Sequence, residues 1–303
     1  MKILVTGGRG FIGSHFVEKA LSDGHTIVDI DKMTYAANES LPWDSHDRYT
    51  FLRQDISEIN HIPTCDIIIN FAAESHVDNS IRDTEPFIKS NILGVHNLLE
   101  LVRGKPKYDR PLFFHISTDE VYGDITDGSF VETDPLMPSN PYSATKASAE
   151  MLILAYHRTY GLDYIISRSA NNYGERQYEE KLIPKCITSI KEGKRIPIHG
   201  DGTYIRDWTY VKDNVNALLF LCDKYKEEGM KNETFNVAAE NHMQNLDVVK
   251  DICDKMDVKF EDSIQFVENR WGQDLRYSVS SEKVRTLGWK PKFIGSLELG
   301  WVK

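Results

Sequence analysis

Short apolar runs alternate with longer segments of helical periodicity through the first half of the chain. Runs rich in β-branched residues predict strands at residues 2–6, 26–30, 50–53, 66–71, 112–117 and 164–168. Apolar positions three and four residues apart predict helices at residues 11–21 and 86–102, and another that begins near residue 142. This alternation is typical of a doubly wound parallel sheet with helices on both faces, so the predicted fold class is α/β.

The pattern loosens from about residue 182 into shorter helices and strands, with Gly-Asp-Gly at residues 200–202 as a turn. We therefore expect residues 1–165 to form the first domain and residues 166–303 a smaller C-terminal α/β lobe. The boundary is soft, because later segments can return to the first sheet. Neither a repeat nor a flexible linker separates the two halves. They are expected to pack closely, with a cleft at the carboxyl ends of the strands.

Composition narrows the class of protein. The chain has no apolar stretch near the roughly 20 residues that a membrane helix needs. Glycines interrupt the apolar start of the chain before a secretory signal can form, so a soluble cytoplasmic protein is expected, with no membrane partner. Cys65, Cys186, Cys222 and Cys253 are widely spaced, which favours reduced thiols over disulfides or a metal site.

Acidic residues outnumber basic ones. Lys and Arg total 36 and Asp and Glu total 46, which gives a formal net charge of −10. This is the wrong sign for binding a nucleic-acid backbone, so nucleic acid is not an expected partner. Residues 1–165 hold 14 basic and 24 acidic side chains, and 14 − 24 = −10, so the whole net charge lies in the first half.

Three glycines, Gly7, Gly10 and Gly13, follow the first predicted strand and open the first helix. Without a Cβ atom, the backbone amides and the helix N-terminus can approach a diphosphate. Asp31, at the end of the second predicted strand, is placed to bind ribose hydroxyls and to repel a 2′-phosphate; Asp29, inside the strand, is the less favoured choice. The pattern predicts a Rossmann-type domain that binds NAD. The alternative is a glycine turn kept only for folding.

Tyr142 and Lys146 lie four residues apart at the start of a predicted helix, so their side chains share one face. An ammonium beside a phenol lowers the pKa of the phenol, and tyrosinate can then act as a base near neutral pH. With the glycine turn and a strand that ends in Ile-Ser-Thr, this pair resembles the tyrosine-dependent short-chain dehydrogenase/reductase family over essentially the whole chain. The glycine spacing and the C-terminal lobe resemble its extended branch, which acts mostly on nucleotide sugars.

Two carboxyl residues, Asp119 and Glu120, follow Thr118 at the predicted end of the fifth strand, where ligands bind in such sheets. Two carboxyl groups in one cleft repel, so one can stay protonated as an acid while the other is an ionised base. Removal of water from C5 and C6 of a hexose needs such a pair, whereas a simple 4-epimerase does not. The alternative is a solvated loop pair or a helix cap.

Five segments carry a more specific resemblance, to the dTDP-glucose 4,6-dehydratases. They are NFAAESHVD at residues 70–78, STDEVYG at 117–123, YSATKAS at 142–148, NNYG at 171–174 and IRDW at 205–208. By this resemblance Asp119 is the expected proton donor and Glu120 the base for the C5 proton. Tyr142 is the expected base for the 4-hydroxyl, Thr118 bonds the sugar, and Lys146 completes the catalytic set.

The same resemblance implies binding positions. Those expected to hold NAD are Gly7, Gly10, Phe11, Ile12, Gly13, Asp31, Lys32, Thr34, Asp55, Ile56, Phe71, Ala72, Ala73, Ser75, Ser90, Tyr142, Lys146 and Asn172. Those expected to hold a nucleotide-diphosphate hexose are Ser75, Thr118, Asn171, Lys181, Leu182, Pro197, His199, Arg206, Asn241 and Arg270. An arginine gives a diphosphate a bidentate fork, although Arg206 beside Asp207 could instead form an ion pair. No metal is implied. A homodimer formed through the helices at residues 86–102 and 142–160 is expected on resemblance alone.

Two segments, residues 175–181 and 269–274, depart from the resembled enzymes and should border the substrate. The nucleobase and the C2 substituent of the sugar therefore stay open. The expected activity is NAD-dependent 4,6-dehydration of a nucleotide-diphosphate hexose to a 4-keto-6-deoxy sugar. The alternatives are a UDP-sugar 4,6-dehydratase, acting on UDP-glucose or on UDP-N-acetylglucosamine with inversion at C5, then a 4-epimerase, and finally a non-catalytic NAD-binding module.

Overall fold

The computed structural model describes residues 1–269 and 274–302. The strands are β1 (Lys2–Thr6), β2 (Thr26–Asp31), β3 (Tyr49–Arg53), β4 (Ile67–Asn70), β5 (Leu112–Thr118), β6 (Tyr164–Ser169), β7 (Asn171–Tyr173), β8 (Ile196–His199), β9 (Ile205–Tyr210), β10 (Glu233–Val237), β11 (His242–Gln244) and β12 (Ile264–Val267). The α-helices are α1 (Phe11–Ser22), α2 (Val77–Arg82), α3 (Glu85–Phe87), α4 (Gly94–Arg103), α5 (Pro141–Tyr160), α6 (Leu182–Lys191), α7 (Val211–Glu228), α8 (Asn245–Lys255), α9 (Phe260–Ser263) and α10 (Glu282–Thr286).

Seven parallel strands form the central sheet, in the order β10-β6-β5-β4-β1-β2-β3. All six strands predicted for the first half belong to it, and the Rossmann-type prediction is confirmed. β2 and β3 lie on one side of β1 in the sheet, and the next three strands along the chain, β4, β5 and β6, lie on its other side. The carboxyl ends of β1 and β4 therefore lie at a topological switch point, where such sheets bind ligands.

The two faces of this sheet are both covered. Ile3 and Ile67 point into the core shared with α1 and α7. Their chain neighbours Leu4 and Ile68 point into the opposite core, shared with α4 and α5. Strands buried on both faces lack polar alternation, which is why β4 and β5 are near-continuous apolar runs in the sequence.

The helix predicted at residues 86–102 contains a π-helical stretch. α3 continues directly into Ile88–Leu93, which is π-helical, and then into α4. Ser90 and Asn91 are buried in this stretch. The Asn91 amide donates to the Glu74 carbonyl oxygen at 3.0 Å and to Thr145 Oγ1 at 2.9 Å. The π-helical stretch therefore binds this helix to α5 and to the segment that follows β4, a role that apolar spacing does not predict.

The second half of the chain supplies a lobe and one strand of the central sheet. β7, β9 and β11 form a three-stranded sheet, and β8 pairs with β12. β10 returns to the central sheet and pairs in parallel with β6. The soft boundary near residue 165 remains a prediction.

Three further observations concern the class of protein. No helix among the described residues is long and apolar enough to cross a membrane. Cys186, Cys222 and Cys253 are buried and Cys65 is half-buried, and all four are free thiols. Within residues 1–269 and 274–302, no group of His, Cys, Asp and Glu side chains could hold a metal ion.

Candidate active site

Two neighbouring pockets open at the carboxyl ends of the central strands. The glycine-loop pocket lies against the turns that follow β1, β2 and β4. The lobe pocket lies between this edge of the sheet and the C-terminal lobe. Gln177, Glu180 and Lys181 line both pockets, so ligands in the two would be neighbours.

The turn between β1 and α1 requires glycine at two positions. Gly7 has a φ of +74°, and a Cβ atom on it would lie 2.6 Å from the backbone nitrogen of Ala72. A Cβ atom on Gly13 would lie 2.2 Å from the carbonyl oxygen of Gly7. α1 begins after Gly10 without a side-chain cap, and its first residues line the pocket. The amide groups of this helix N-terminus therefore suit an anion.

Two carboxyl groups on β2 have different surroundings. Asp29 is fully buried, and its oxygens accept hydrogen bonds from the Gly8 N–H at 2.9 Å and from the Tyr49 hydroxyl at 2.8 Å. Burial raises the pKa of Asp29 to about 7. Asp31 lines the glycine-loop pocket and accepts from the Arg9 N–H at 3.1 Å. Asp29 therefore fixes the glycine turn, and Asp31 is the carboxylate that a ribose could reach.

Lys32 is engaged within the same pocket. Its ammonium lies 3.2 Å from Glu74 Oε1 and donates to Ser90 Oγ at 2.7 Å. A lysine held by a carboxylate is less able to attract a 2′-phosphate, which favours NAD over NADP.

The structure brings the predicted cofactor positions together. All of them except Asn172 line the glycine-loop pocket. Asn172 lines the lobe pocket instead, because β7 belongs to the three-stranded sheet of the lobe. Its amide nitrogen donates to the Ala170 carbonyl at 2.9 Å, and its Oδ1 is buried without a partner.

Asp119 and Glu120, here called the carboxyl pair, directly follow the end of β5 and open a short 3₁₀ helix. Thr118 Oγ1 accepts from the Glu120 N–H at 3.3 Å and donates to Asp119 Oδ1 at 3.3 Å. Asp119 is only 2% exposed, and its Oδ2 is buried without a hydrogen-bond partner. Glu120 lines the lobe pocket, where the Asn140 amide donates to its Oε2 at 3.5 Å. The carboxyl pair is therefore not a solvated loop pair, and Asp119 has an oxygen left for a ligand.

The two carboxyl groups differ in their electrostatic surroundings. Burial raises the pKa of Asp119 well above 3.8, and the charges of Glu120 and Asp207 raise it further. Burial also raises the pKa of Glu120, but the charges of Lys181 and Arg206 oppose this. Asp119 is thus the group that keeps its proton, and Glu120 is the one that neighbouring cations favour as a carboxylate.

A capping box positions the start of α5. The Asn140 side chain accepts from the Ser143 N–H at 2.9 Å, and Ser143 Oγ accepts from the Asn140 N–H at 3.3 Å. Pro141, whose φ suits the first turn, opens the helix. Tyr142 and Lys146 then both face the glycine-loop pocket.

Lys146 is held by the central sheet. Its Nζ donates to the Ile116 carbonyl at 2.6 Å and lies 3.3 Å from Nε2 of His115. Burial lowers the pKa of Lys146 to about 8, while the charge of Glu150 acts in the opposite direction.

The expectation that Lys146 lowers the pKa of Tyr142 is wrong for the protein's own groups. Burial raises the pKa of Tyr142, and the charges of Glu120 and Asp119 act in the same direction. A hydrogen bond with Thr118 lowers the pKa by less than Glu120 raises it, and the Asp119 charge has the smallest effect. Burial and the Glu120 charge therefore decide the pKa of this phenol, and Lys146 is not among the groups that change it.

Most positions expected to hold the nucleotide sugar meet in the lobe pocket. Those that line it are Asn171, Lys181, Leu182, Pro197, His199 and Arg206. Ser75 lies in the wall of the glycine-loop pocket, where its carbonyl accepts from Lys181 Nζ at 3.1 Å. Thr118 and Asp119 are not among the lining residues of either pocket; Thr118 is hydrogen-bonded to Glu120, which lines the lobe pocket.

Two other expected positions do not join this group. Asn241 is buried away from the lining residues of both pockets, and its Oδ1 accepts from the Gly295 N–H at 3.2 Å. The Asn241 side chain, which was expected to bind substrate, is therefore hydrogen-bonded to the segment around Gly295. Arg270 lies outside the described residues.

Arg206 is buried and oriented by backbone oxygens. Its guanidinium donates to three carbonyl groups, including that of Asp274 at 2.8 Å, and lies over the Tyr277 ring at 4.3 Å. Asp207 instead accepts from backbone N–H groups of the segment after β10. Among the described residues Arg206 forms no ion pair, so the alternative of a surface or inter-lobe ion pair finds no support there.

Sequence reasoning gave no individual role to several residues that line the lobe pocket. Among them are Asn140, Tyr277 and Gln177, the last of which lies in a segment expected to border the substrate. Asn140 could have been found, since asparagine before a proline at a helix start is an N-cap signal. Gln177 has a buried Oε1 without a partner, and its amide nitrogen donates to the Asn172 carbonyl at 2.9 Å. Tyr277 has no local signal, because only the folded chain brings it to Arg206.

Known proteins are similar in sequence to this chain over nearly its whole length. The family model described as GDP-mannose 4,6 dehydratase matches residues 4–296. The low-salt glycan biosynthesis protein Agl12 of Haloferax volcanii is 42% identical over 300 residues, which are 97% of this chain and 94% of that protein. The dTDP-glucose 4,6-dehydratase of Haemophilus influenzae is 42% identical over 96% of this chain and 94% of its own.

A solved structure matches the fold as closely. The dTDP-glucose 4,6-dehydratase DesIV of Streptomyces venezuelae, solved with NAD bound, superposes with a TM-score of 0.91 and 35% identity, over 100% of this chain and 94% of its own. Fold and sequence thus agree along the length of the molecule. The chain belongs to the GDP-mannose 4,6 dehydratase family.

Proposed function

We propose that the chain is an NAD-dependent nucleotide-diphosphate-hexose 4,6-dehydratase, most like the dTDP-glucose enzymes. The observation that carries this proposal is the carboxyl pair, in which one group is buried with an unpartnered oxygen and the other faces the lobe pocket. Both lie close enough to Tyr142 for their charges to raise the pKa of its phenol. Elimination of water needs an acid and a base, and this pair supplies both. The dehydratases among the relatives support the same activity.

The glycine-loop pocket fits NAD. A side chain on Gly7 or Gly13 would collide with the backbone, so this turn is kept open for close approach by a diphosphate. The uncapped start of α1 would hold the diphosphate, and Asp31 would bind the adenosine ribose. Bound there, NAD would supply reversible hydride transfer, from C4 of the sugar and back to C6, so that no external reductant would be consumed.

The side chains carry out four proton transfers. Tyr142 removes the proton of the C4 hydroxyl as C4 becomes a ketone. Burial and the Glu120 charge raise the pKa of its phenol, so the cationic ring of bound NAD, in the pocket that Tyr142 and Lys146 line, would be needed to favour the ionised form. The ketone makes the C5 hydrogen acidic, and Glu120 removes it. Asp119 donates its proton to the departing C6 hydroxyl, which leaves as water. Return of the hydride to C6 gives an enolate, and Glu120 then delivers a proton to C5, so the product is a 4-keto-6-deoxy sugar nucleotide.

The assignment of acid and base follows from the surroundings of each carboxyl group. Asp119 has its pKa raised by burial and by two neighbouring carboxyl groups, so it keeps a proton to give. Glu120 faces Lys181 and Arg206, whose charges stabilise its ionised form. The reverse assignment would place the base where an ionised group is least stable.

The lobe pocket holds the substrate diphosphate. α6 begins after Lys181 without a side-chain cap, so its first N–H groups and its positive end face an anion. Lys181, Lys185 and Arg206 add three cations to the same pocket. The acidic first half therefore binds its anion with backbone amides, whereas the electrically neutral second half supplies side-chain cations.

A UDP-sugar 4,6-dehydratase is the second candidate. Residues 175–181 differ in sequence from the resembled dTDP-glucose enzymes, and part of this segment lines both pockets. A 4-epimerase or a non-catalytic module fits less well, because neither has a use for a buried, protonated Asp119.

Mass spectrometry tests the activity and the nucleobase together. NAD-loaded protein is incubated with dTDP-glucose, UDP-glucose and UDP-N-acetylglucosamine, and we expect one of them to lose one water. Asp119→Asn and Glu120→Gln should abolish that loss, whereas substitution of exposed Asp127 by Asn, the matched control, should not. Inversion at C4 without loss of water would identify an epimerase. No conversion of any of the three by NAD-loaded protein would contradict the proposal.

We further propose that the enzyme is a cytoplasmic homodimer. Ile81, Ile88, Leu93 and Met151 are 47%, 43%, 51% and 49% exposed. They lie on α2, on the π-helical stretch and on α5, which pack against one another. Exposed apolar side chains on adjoining helices suit a second copy of the chain. Free thiols suit the reducing cytoplasm.

A further inference from the structure

A row of buried polar side chains connects the glycine turn with the catalytic lysine. Thr6 Oγ1 lies 2.6 Å from Asn70 Oδ1, Asn70 Nδ2 lies 3.0 Å from His115 Nδ1, and His115 Nε2 lies 3.3 Å from Lys146 Nζ. None of the four residues is more than 3% exposed. Thr6 and Asn70 are register partners, as are Asn70 and His115, so their side chains emerge on the same face of the sheet. We call these four residues the buried relay.

His115 is a neutral imidazole in this relay. Burial and the charge of Lys146 hold its pKa well below the ordinary value of 6.5. A neutral imidazole carries one N–H, so one ring nitrogen donates while the other accepts. The ring of Phe113 stacks on it at 6.3 Å with an interplanar angle of 10°, which limits its rotation.

The same atom positions serve both protonation states of Lys146. An ammonium donates to His115 Nε2, which places the ring N–H on Nδ1 and requires the Asn70 amide oxygen to face it. A neutral amine accepts from Nε2–H, and the Asn70 amide nitrogen then donates to Nδ1 while its oxygen accepts from Thr6. A half-turn of the amide exchanges its nitrogen and oxygen, so all hydrogen bonds reverse together.

We propose that His115 is a positioning residue for Lys146, and that its tautomer follows the protonation state of that lysine through the buried relay. The inference rests on the proposed function, in which Lys146 acts beside Tyr142. An ammonium has three N–H groups, and Ile116 and His115 take two of them. The third is left for the glycine-loop pocket, which Lys146 and Tyr142 both line.

Other charged groups face Lys146 from the surrounding elements. Glu150, one turn further along α5, is paired at 2.7 Å with Arg168 of β6. Tyr142 lies one turn before Lys146 on α5, and the carboxyl pair lies directly after the end of β5. The pKa of Lys146 is lowered to about 8, so both states of the lysine are populated near neutral pH and slightly above it.

Nitrogen NMR tests the tautomer without any need for turnover. Full-length, NAD-loaded protein labelled with ¹⁵N-histidine is titrated across the Lys146 pKa of about 8. The ring N–H of His115, assigned by the signal lost in His115→Gln, should move from Nδ1 to Nε2 as the pH rises. In Lys146→Met the tautomer should not change. A single tautomer throughout in the natural sequence, or a switch that persists in Lys146→Met, overturns the inference.

Kinetics test the positioning role. His115→Leu should lower kcat about 10- to 100-fold, the typical effect of losing a hydrogen bond to a charged group, with little change in KM. It should also shift the alkaline limb of the pH profile, and His115→Gln, whose amide can reach the place of Nε2, should restore part of the rate. His157→Leu, at the other end of α5 and bonded to the Leu162 carbonyl at 2.9 Å, is the matched control. A fall in kcat with an unchanged pH profile and no recovery in the glutamine variant would show a merely structural role.

The two tests separate this inference from the proposed function. A tautomer switch in a protein that dehydrates no sugar nucleotide would count against the function alone. Dehydration without a switch would count against the buried relay alone. NAD content and thermal unfolding show whether each variant is folded, and the titration of the natural sequence stands even if His115→Leu does not fold.

Discussion

Asp119 and Glu120 are neighbours in sequence, yet the turn after β5 points their carboxyl groups into different surroundings. Asp119 is enclosed beneath Thr118, and Glu120 faces Lys181 and Arg206. The two residue types have similar ordinary pKa values, so only these surroundings can make one an acid and the other a base. Chemistry at this scale depends on burial and charge more than on residue identity.

Asp119→Asn should increase thermal stability by an amount that grows with pH. The folded-state pKa of Asp119 lies above its unfolded value of 3.8. The contribution of such a group to stability is fully present below the unfolded pKa and is lost as the pH rises through the folded pKa. An amide does not ionise and escapes this loss. Melting temperatures of the two proteins from acidic to alkaline pH check this, with Asp127→Asn as control; a constant difference would contradict it.

Glu120→Gln should block removal of the C5 proton and leave oxidation at C4 intact. Loss of a positioned general base costs about 10²- to 10⁴-fold in rate. In deuterated water, the product of the natural enzyme should carry deuterium at C5, whereas reduced cofactor should accumulate in the variant without label in the sugar. Absorbance and mass spectrometry measure the two effects. Deuterium at C5 in the variant would assign the base to another residue.

At the scale of elements, the first strand, turn and helix form one unit for binding an anion. β1 ends at the turn, Asp29 of β2 holds the turn through Gly8, and α1 presents its uncapped N-terminus. The turn has no space for a methyl group at its tightest point. Its geometry should therefore control how much cofactor the protein retains.

Gly13→Ala should sharply lower the amount of NAD that remains bound on purification. The new methyl group would lie 2.2 Å from the Gly7 carbonyl oxygen, so the turn must shift away from its binding geometry. Gly104→Ala is the matched control, because its methyl group would lie 3.4 Å from the nearest atom, at the end of α4. NAD released on denaturation is measured per chain. Full NAD content in Gly13→Ala would disprove the role of this turn.

At the scale of the whole molecule, segments that are continuous in sequence were the easiest to predict. The six strands, the glycine turn and the Tyr142–Lys146 pair each depend on spacing within one stretch of chain. The lobe pocket depends on long-range packing, which places Tyr277 against Arg206 and closes Gly295 over Asn241. Spacing also gives no measure of desolvation, so the raised pKa of Tyr142 was not foreseen.

Leu93→Glu should convert the proposed dimer into a monomer. Leu93 is 51% exposed at the end of the π-helical stretch, and a buried, unpaired charge at a subunit interface is costly. Light scattering coupled to gel filtration measures the mass of each protein. Tyr108→Glu, at an 87% exposed position away from these helices, is the control. If the protein without the substitution is already a monomer, the proposal of a homodimer is wrong.

We expect the wall shared by the two pockets to couple the binding of their ligands energetically. Gln177, Glu180 and Lys181 border both, so ordering this segment around one ligand spares the second ligand that entropic cost. Thermodynamic linkage then requires that NAD and the sugar nucleotide tighten each other by the same factor. The factor by which NAD raises the affinity for the free nucleoside diphosphate should exceed one. It should equal the factor by which the nucleoside diphosphate raises the affinity for NAD. Such coupling would keep the reduced cofactor bound for as long as the oxidised sugar intermediate is also bound.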